Sequence, residues 1–300
     1  MITVPRYMMD LRTIPNMSYG HVAQYHDVHI GHRDDAKCNF VWGGVAGHGG
    51  HNMVIETGFF WEAAHVDTCG LYGDSALNTR QGVSEIKEFC APVRAMDVIT
   101  RMPQQSKYQQ TRGDVQWDGV VLASQNPGDR SIVYNASPDA FYDFVKGACE
   151  YYQDRLFIKL HPWNSSRDVV DRIAAYAKAN GCRYAKTNHS VIQDCEFVIV
   201  WNSTFGMDCF VRNVPVAQFA PGYWHMTGAV TFTDGVYPDS VDDTLVMAHK
   251  LANFCTWKYC FNYQQSTEQW IKMLRHFAQS SELFPMTPEF CYANNTHWSI

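Results

Sequence analysis

The chain has 300 residues, 46% of them hydrophobic, which is enough to bury the core of one large domain or of two compact ones. Its 30 acidic residues outnumber 24 basic ones for a net charge of -6, whereas a general binder of duplex nucleic acid carries a basic excess, so that partner class is disfavoured. No run approaches the roughly 18 consecutive apolar residues that span a bilayer, and Met1 to Arg6 lacks the regions of a signal peptide, so a cytoplasmic protein with no membrane span is expected. The ten cysteines contain no C-x-x-C pair and read as free thiols rather than a disulfide framework.

Residues 1 to about 40 are polar, aromatic and rich in histidine, without a periodicity that assigns an element. Asn39 to Trp42 then predicts a strand, followed by a loop from Gly43 to His51 with five glycines. A second short strand, Met53 to Ile55, ends at Glu56-Thr57-Gly58, where the carboxylate either projects into a cleft or caps a surface turn. Histidines recur at His21, His26, His29, His32, His48 and His51, but neither H-E-x-x-H nor a Cys/His finger occurs, so polar loop histidines and no metal site are expected. A helical pattern opens near Arg80 with Val83, Ile86 and Phe89, and gives way to a polar stretch, Gln104 to Gly113, that reads as a domain linker.

Beyond this stretch the pattern alternates regularly. Asp118 to Ser124 predicts a strand, Ser137-Pro138 caps a helix reaching about Tyr152, and Leu156 to Leu160 is a strand stopping at His161-Pro162. A helix from about Ser166 to Asn180 ends at Gly181, strands follow at Arg183 to Lys186 and Phe197 to Trp201, a helix begins near Ser203, and Pro215 to Phe219 is a further strand. Gly222 to Ser240 is a long aromatic loop, and two helices follow, Val241 to about Phe254 and Ser266 to about Gln279, the second with Trp270, Met273, Leu274 and Phe277 on one face. Alternating β and α elements at this spacing predict a parallel, doubly wound sheet.

In such a sheet the carboxyl ends of the strands border the ligand crevice, which places Lys159, His161, Ser203 and Thr204 on one rim. A Ser-Thr pair opening a helix offers hydroxyls, free amides and the positive end of the helix dipole, although a plain cap uses the same residues. Gln125, Asp129 and Ser131 follow the first strand of this half, so three strand-end loops carry groups suited to phosphate and ribose. The P-loop pattern G-x-x-x-x-G-K-S/T and the dinucleotide fingerprint G-x-G-x-x-G are both absent, as is any D-x-D that would hold a metal-bridged sugar nucleotide.

Several segments resemble a known family in order and approximate spacing. Gly119 to Ile132, containing Ser124-Gln125-Asn126-Pro127-Gly128-Asp129-Arg130-Ser131, resembles the "vLvpGQvpgDaSi" segment of bacterial capsule polysaccharide glycosyltransferases, including the β-Kdo transferases. Ile158-Lys159-Leu160-His161-Pro162 resembles their "yKpHP", Trp201 to Asp208 their "tSlxGfEA", Val41-Trp42-Gly43 their "WG", and Ile55 to Phe59 their "EDGF". The His-Pro and Ser/Thr motifs are also similar to those of bacterial sialyltransferases.

The resemblance implies a GT-B-like α/β fold, two Rossmann-like domains with parallel sheets facing a central cleft. On that basis residues 1–113 form the acceptor-side domain, 114–262 the nucleotide-sugar donor domain, and 263–300 a final helix and tail that pack back on the first domain. It further implies transfer of a sugar from a nucleotide-sugar donor, such as CMP-Kdo, to a glycan hydroxyl without a metal or other cofactor. Carried over, Glu56 and His161 are the catalytic residues, and Gln125, Asp129, Ser131, Lys159, His161, Ser203 and Thr204 line the donor site. Where the family has adjacent Glu and Asp this chain has Glu56-Thr57, so the role of the second acid does not transfer. Two alternatives are a phage-type transferase acting on modified nucleobases of DNA, and a non-catalytic sugar-nucleotide-binding module.

Overall fold

The computed structural model describes residues 1–9, 19–31, 33–43, 52–59, 63–90, 114–162, 166–262 and 265–287. The chain divides into two compact units, Met1–Val98 joined by Asn253–Ile300, and Ile99–Ala252. The glycine-rich loop from 44 to 51, the expected linker at 104–113, and His32, His48 and His51 lie outside the described residues. No helix among the described residues is long and apolar enough to cross a membrane.

The first unit contains strands β1 (Ile2–Val4), β2 (Val28–Ile30), β3 (Cys38–Trp42), β4 (Asn52–Thr57) and β5 (Ala63–Asp67), helices α1 (Tyr19–Val22) and α2 (Arg80–Glu88), and, from the end of the chain, a strand at Cys260–Asn262. This last strand lies at one end of a six-stranded sheet, next to β5, and the order continues β5-β4-β3-β1-β2. Strands β1 to β4 run parallel, while β5 and Cys260–Asn262 are antiparallel additions. The sequence reading kept residues up to 262 in the second domain; the chain instead joins the first unit from Asn253, because Cys260–Asn262 pairs with Ala63–His65 of β5.

The final helix, Thr267–Gln279, forms behind a reciprocal cap in which Ser266 and Gln269 each bond the other's backbone amide. Its apolar stripe, Trp270, Ile271, Met273, Leu274 and Phe277, is buried with Val4, Phe40 and Ile55 in the core of the first unit. At the end of β5 the buried Asp67 accepts hydrogen bonds from Ser75 Oγ (2.6 Å), Tyr259 Oη (2.5 Å) and the amides of Cys69, Gly70 and Ala76 (2.8, 2.9 and 3.1 Å). Burial pushes this carboxyl up, and the hydrogen bonds oppose that shift.

The second unit holds strands β6 (Val120–Ala123), β7 (Leu156–Lys159), β8 (Arg183–Ala185), β9 (Phe197–Val200), β10 (Val216–Gln218) and β11 (Thr231–Phe232). All of their described pairings are parallel, and the order is β11-β10-β9-β6-β7-β8. Counted from β6, this is the doubly wound order 3-2-1-4-5-6. Its helices are α3 (Arg130–Val133), α4 (Pro138–Tyr152), α5 (Arg167–Ala179) and α6 (Phe205–Phe210).

Local chemistry explains where these helices start and stop. Ser137 Oγ accepts from the Ala140 amide at 3.2 Å with Pro138 in the first turn, and α4 then buries Phe141, Phe144, Val145, Ala148 and Cys149. After α5 the chain turns at Gly181, whose φ of +74° suits glycine. β6, β7 and β9 are buried at every position, as expected of strands covered on both faces.

Candidate functional site

The strand order of the second unit reverses direction between β6 and β9, the place where doubly wound sheets open a ligand crevice. Residues leaving these two strands are tied together there. Gln125 Nε2 donates to Asn202 Oδ1 and to Ser131 Oγ, both at 3.1 Å, and the Asn202 amide donates to Gln125 Oε1 at 3.2 Å. Asn202 Nδ2 donates in turn to the carbonyls of Ser131 (2.5 Å) and Pro221 (3.1 Å). Gln125 and Asn202 therefore act as a clasp that sets the loops after β6, β9 and β10 against one another.

The clasp leaves little room for side chains around it. A Cβ on Gly222 would stand 2.8 Å from Gln218 Nε2 and 2.9 Å from Asn202 Cβ, so the loop approaches the clasp as bare backbone. Asp129 is exposed and caps α3 by accepting from the Ser131 amide at 3.2 Å. His161 stands half-buried after β7, its backbone amide donating to Ser124 Oγ at 3.2 Å, which ties the β6 and β7 ends together. Ser203 is buried and accepts from the Phe205 amide at 3.2 Å, while Thr204 is half-buried at the start of the six-residue α6.

Lys159 is the last residue of β7, but its side chain does not stand on the open rim. It is only 3% exposed, with Nζ donating to the Thr187 carbonyl at 2.8 Å and lying 5.4 Å from the centre of the Phe205 ring. Its neighbours form a buried charged cluster beneath α6. Asp208 Oδ1 lies 3.4 Å from Arg212 Nη1 and 3.5 Å from His189 Nε2, and His189 stacks on Phe205. Burial lowers the Lys159 ammonium to about 8, with Asp208 acting in the other direction. Burial, reinforced by Arg212 and Lys159, lowers His189 to about 3.

The His189 shift makes the stability of the fold depend on pH. Unfolded His189 takes up a proton near pH 6.5 and folded His189 only near 3, so the unfolded state binds more protons between those values and stability falls as the pH falls through that window. His189→Leu removes the effect. Between pH 7 and pH 4 the wild type is expected to lose about 3 kcal/mol more than this variant, measured by urea denaturation at both pH values.

Glu56 belongs to the first unit. It sits half-buried near the end of β4, opposite His65 in the β4–β5 hairpin. The two strands close on each other there: the Gly58 amide donates to the Ala63 carbonyl at 2.7 Å, and a Cβ on Gly58 would come within 2.6 Å of Ala63 Cβ. Glycine at 58 is thus a packing requirement of the segment that carries Glu56. The structure brings Gln125, Ser131, His161, Ser203 and Thr204 together at strand ends of one sheet. It adds Ser124, Asn202, His189 and Asp208, which the sequence reading did not assign. Ser124 and Asn202 had a legible signal, a polar residue at the end of an apolar run; His189 and Asp208 had none.

No family model matches the sequence, and no curated protein resembles it at a significant level. Solved structures do. The chain is similar to Thermosulfurimonas dismutans KpsC, β-Kdo 2,7 transferase, with a TM-score of 0.55 and 17% identity over 93% of this chain and 99% of that one. It is also similar to the β-Kdo 2,4 transferase of the same organism's KpsC, with a TM-score of 0.53 and 16% identity over 83% of this chain and 89% of that one. At this identity the likeness shows the fold, a GT-B-like α/β chain with two Rossmann-like sheets.

Proposed function

We propose that this chain is a glycosyltransferase that holds a nucleotide-sugar donor, of the CMP-sugar type such as CMP-Kdo, at the strand ends of its second unit and transfers the sugar to a glycan hydroxyl. The observation that carries the reading is the Gln125–Asn202 clasp at the β6/β9 reversal, flanked by His161 and by Ser203-Thr204. The neighbours' printed function, β-Kdo transfer, and the motif order along the chain point the same way.

In this reading the leaving group is the nucleotide phosphate, and the chain supplies what stabilises its growing charge. His161 and the Ser203 and Thr204 hydroxyls donate to the phosphate, with Lys159 as a fixed cation behind them. Lys159 Nζ lies 5.4 Å from the centre of the ring of Phe205, the residue after Thr204, and the chain has no D-x-D for a metal bridge, so charge stabilisation falls to the protein's own groups. Gln125, Ser131 and Asp129 shape the nucleoside side of the site, Gln125 mainly through the clasp.

Glu56 is the acid assigned to the reacting centre. As a general base it takes the proton of the acceptor hydroxyl; as a nucleophile it forms a glycosyl-enzyme intermediate and the transfer retains configuration. The test is transfer itself. The protein is incubated with CMP-Kdo, CMP-N-acetylneuraminate, UDP-glucose or GDP-mannose and a panel of glycan acceptors, with released nucleotide and product mass recorded. One donor class is expected to be consumed, with turnover lowered by about 10²- to 10⁴-fold in Glu56→Gln. Nucleotide binding without product from any donor and acceptor would overturn catalysis in favour of a binding module, and sugar appearing on DNA would move the acceptor to nucleic acid.

A further inference from the structure

The first unit carries an open pocket of about 480 Å³ that no step above uses. It lies between α1 and β2, with Arg6, Tyr19 and His29 around an apolar floor of Val22, Val28 and Ile30. Its volume falls within the usual range for small-molecule sites. Arg6 comes two residues after β1, and β2 ends beside it, so the pocket borders the carboxyl ends of parallel strands. Beyond Ile30 the chain turns at Gly31 with φ +104°, and a Cβ there would stand 3.9 Å from Arg6 Nε, so the guanidinium lies over this turn.

The charge balance around the pocket gives its ligand chemistry. Asp27, just before β2, is held by Arg275, with Nε to Oδ2 at 2.9 Å. Asp35, five residues beyond β2, is held by Arg33 at 2.8 Å. Each of these acids thus has its own arginine, and Arg6 makes no ion pair among the described residues. Tyr19, which lines the same pocket, is 54% exposed, so its aromatic ring is accessible to a ligand. A cation with planar donors beside an open aromatic face suits a ring that is apolar on one side and carries an anionic group.

We propose that this pocket binds an acidic sugar of the acceptor, its carboxylate or phosphate on Arg6 and the apolar face of its ring on Tyr19. His29 is positioned to bond a ring hydroxyl. The assignment of the ligand to the acceptor rests on the glycosyltransferase reading; the affinity for an acidic sugar does not, and it can be measured without nucleotide.

The full chain is titrated with a galacturonate tetrasaccharide, with glucose 6-phosphate and with a neutral glucose tetrasaccharide, following saturation transfer by NMR and heat by calorimetry. At least one acidic probe is expected to bind ten or more times tighter than the neutral one, and which of the two does so separates carboxylate from phosphate. Arg6→Gln, a change at an exposed side chain, is expected to erase that preference, and Tyr19→Ala to weaken both acidic and neutral probes. Equal affinity for acidic and neutral sugars, unchanged acidic binding in Arg6→Gln, or no binding of any probe would overturn the proposal. Nucleotide is absent throughout, so these outcomes stand apart from those of the donor experiments.

Discussion

Replacing His161 by alanine is expected to lower sugar transfer by about 10²- to 10³-fold while leaving the melting temperature nearly unchanged. The separation follows from which atoms do what. The hydrogen bond that ties the β6 and β7 ends together uses the His161 backbone amide on Ser124 Oγ, and alanine keeps it. What alanine removes is the imidazole of a half-buried residue that follows β7. Steady-state kinetics with the preferred donor, alongside calorimetric unfolding, read both quantities. A variant that keeps full turnover shows that the imidazole has no part in transfer; one that unfolds instead shows that His161 is a packing residue.

The second large effect is expected at Asp208, and it concerns stability. Asp208→Ala removes the carboxylate that faces Arg212 at 3.4 Å and His189 at 3.5 Å in a buried site, and it takes from Lys159 the charge that favours its ammonium. Truncating one partner of a buried charged group typically costs about 3–5 kcal/mol, because the remaining charges stay desolvated. Urea denaturation at pH 7 measures the loss. Lys159→Met is the informative contrast: burial already disfavours this ammonium, and Asp208 keeps Arg212, so stability is expected to change little or to rise. If the buried cation serves the donor phosphate, the same variant weakens nucleotide binding, and a stable protein with weaker binding separates the two roles.

The second unit was the legible half of the sequence for a physical reason. Its central strands are uninterrupted apolar runs such as Phe197–Val200, buried on both faces and bounded by cap and turn residues, and the Ser137-Pro138 helix start is local chemistry. In the first unit the signal was too short or mixed. β1 and β2 are three residues each, and β2 carries His29 between two apolar positions. β5 is buried throughout yet includes His65 and Asp67, whose burial depends on partners as remote as Tyr259. The strand Cys260–Asn262 joins this sheet from the far end of the chain, a pairing that no local pattern announces.

The site divides in the same way. Residues at strand ends, including Gln125, His161 and Ser203, could be read from the breaks in apolar runs. The use each makes of its side chain could not. The Gln125 amide is taken up by Ser131 and Asn202, and the Lys159 side chain turns inward to the Thr187 carbonyl, since the last position of a strand can face either the rim or the layer beneath it. Asp208 and His189 become partners only when α6 packs over the segment that follows β8.

Thermal unfolding of the wild type and of His161→Ala across a concentration series of CMP, UDP, GDP and ADP tests the donor site most directly, since a ligand that binds only the folded chain raises its stability by mass action. The expected result is a melting temperature that climbs with one nucleotide, CMP, in the wild type, and a much smaller rise in the variant. A wild type that shifts with none of the four, or a variant that shifts as far as the wild type, would contradict a donor site built on His161.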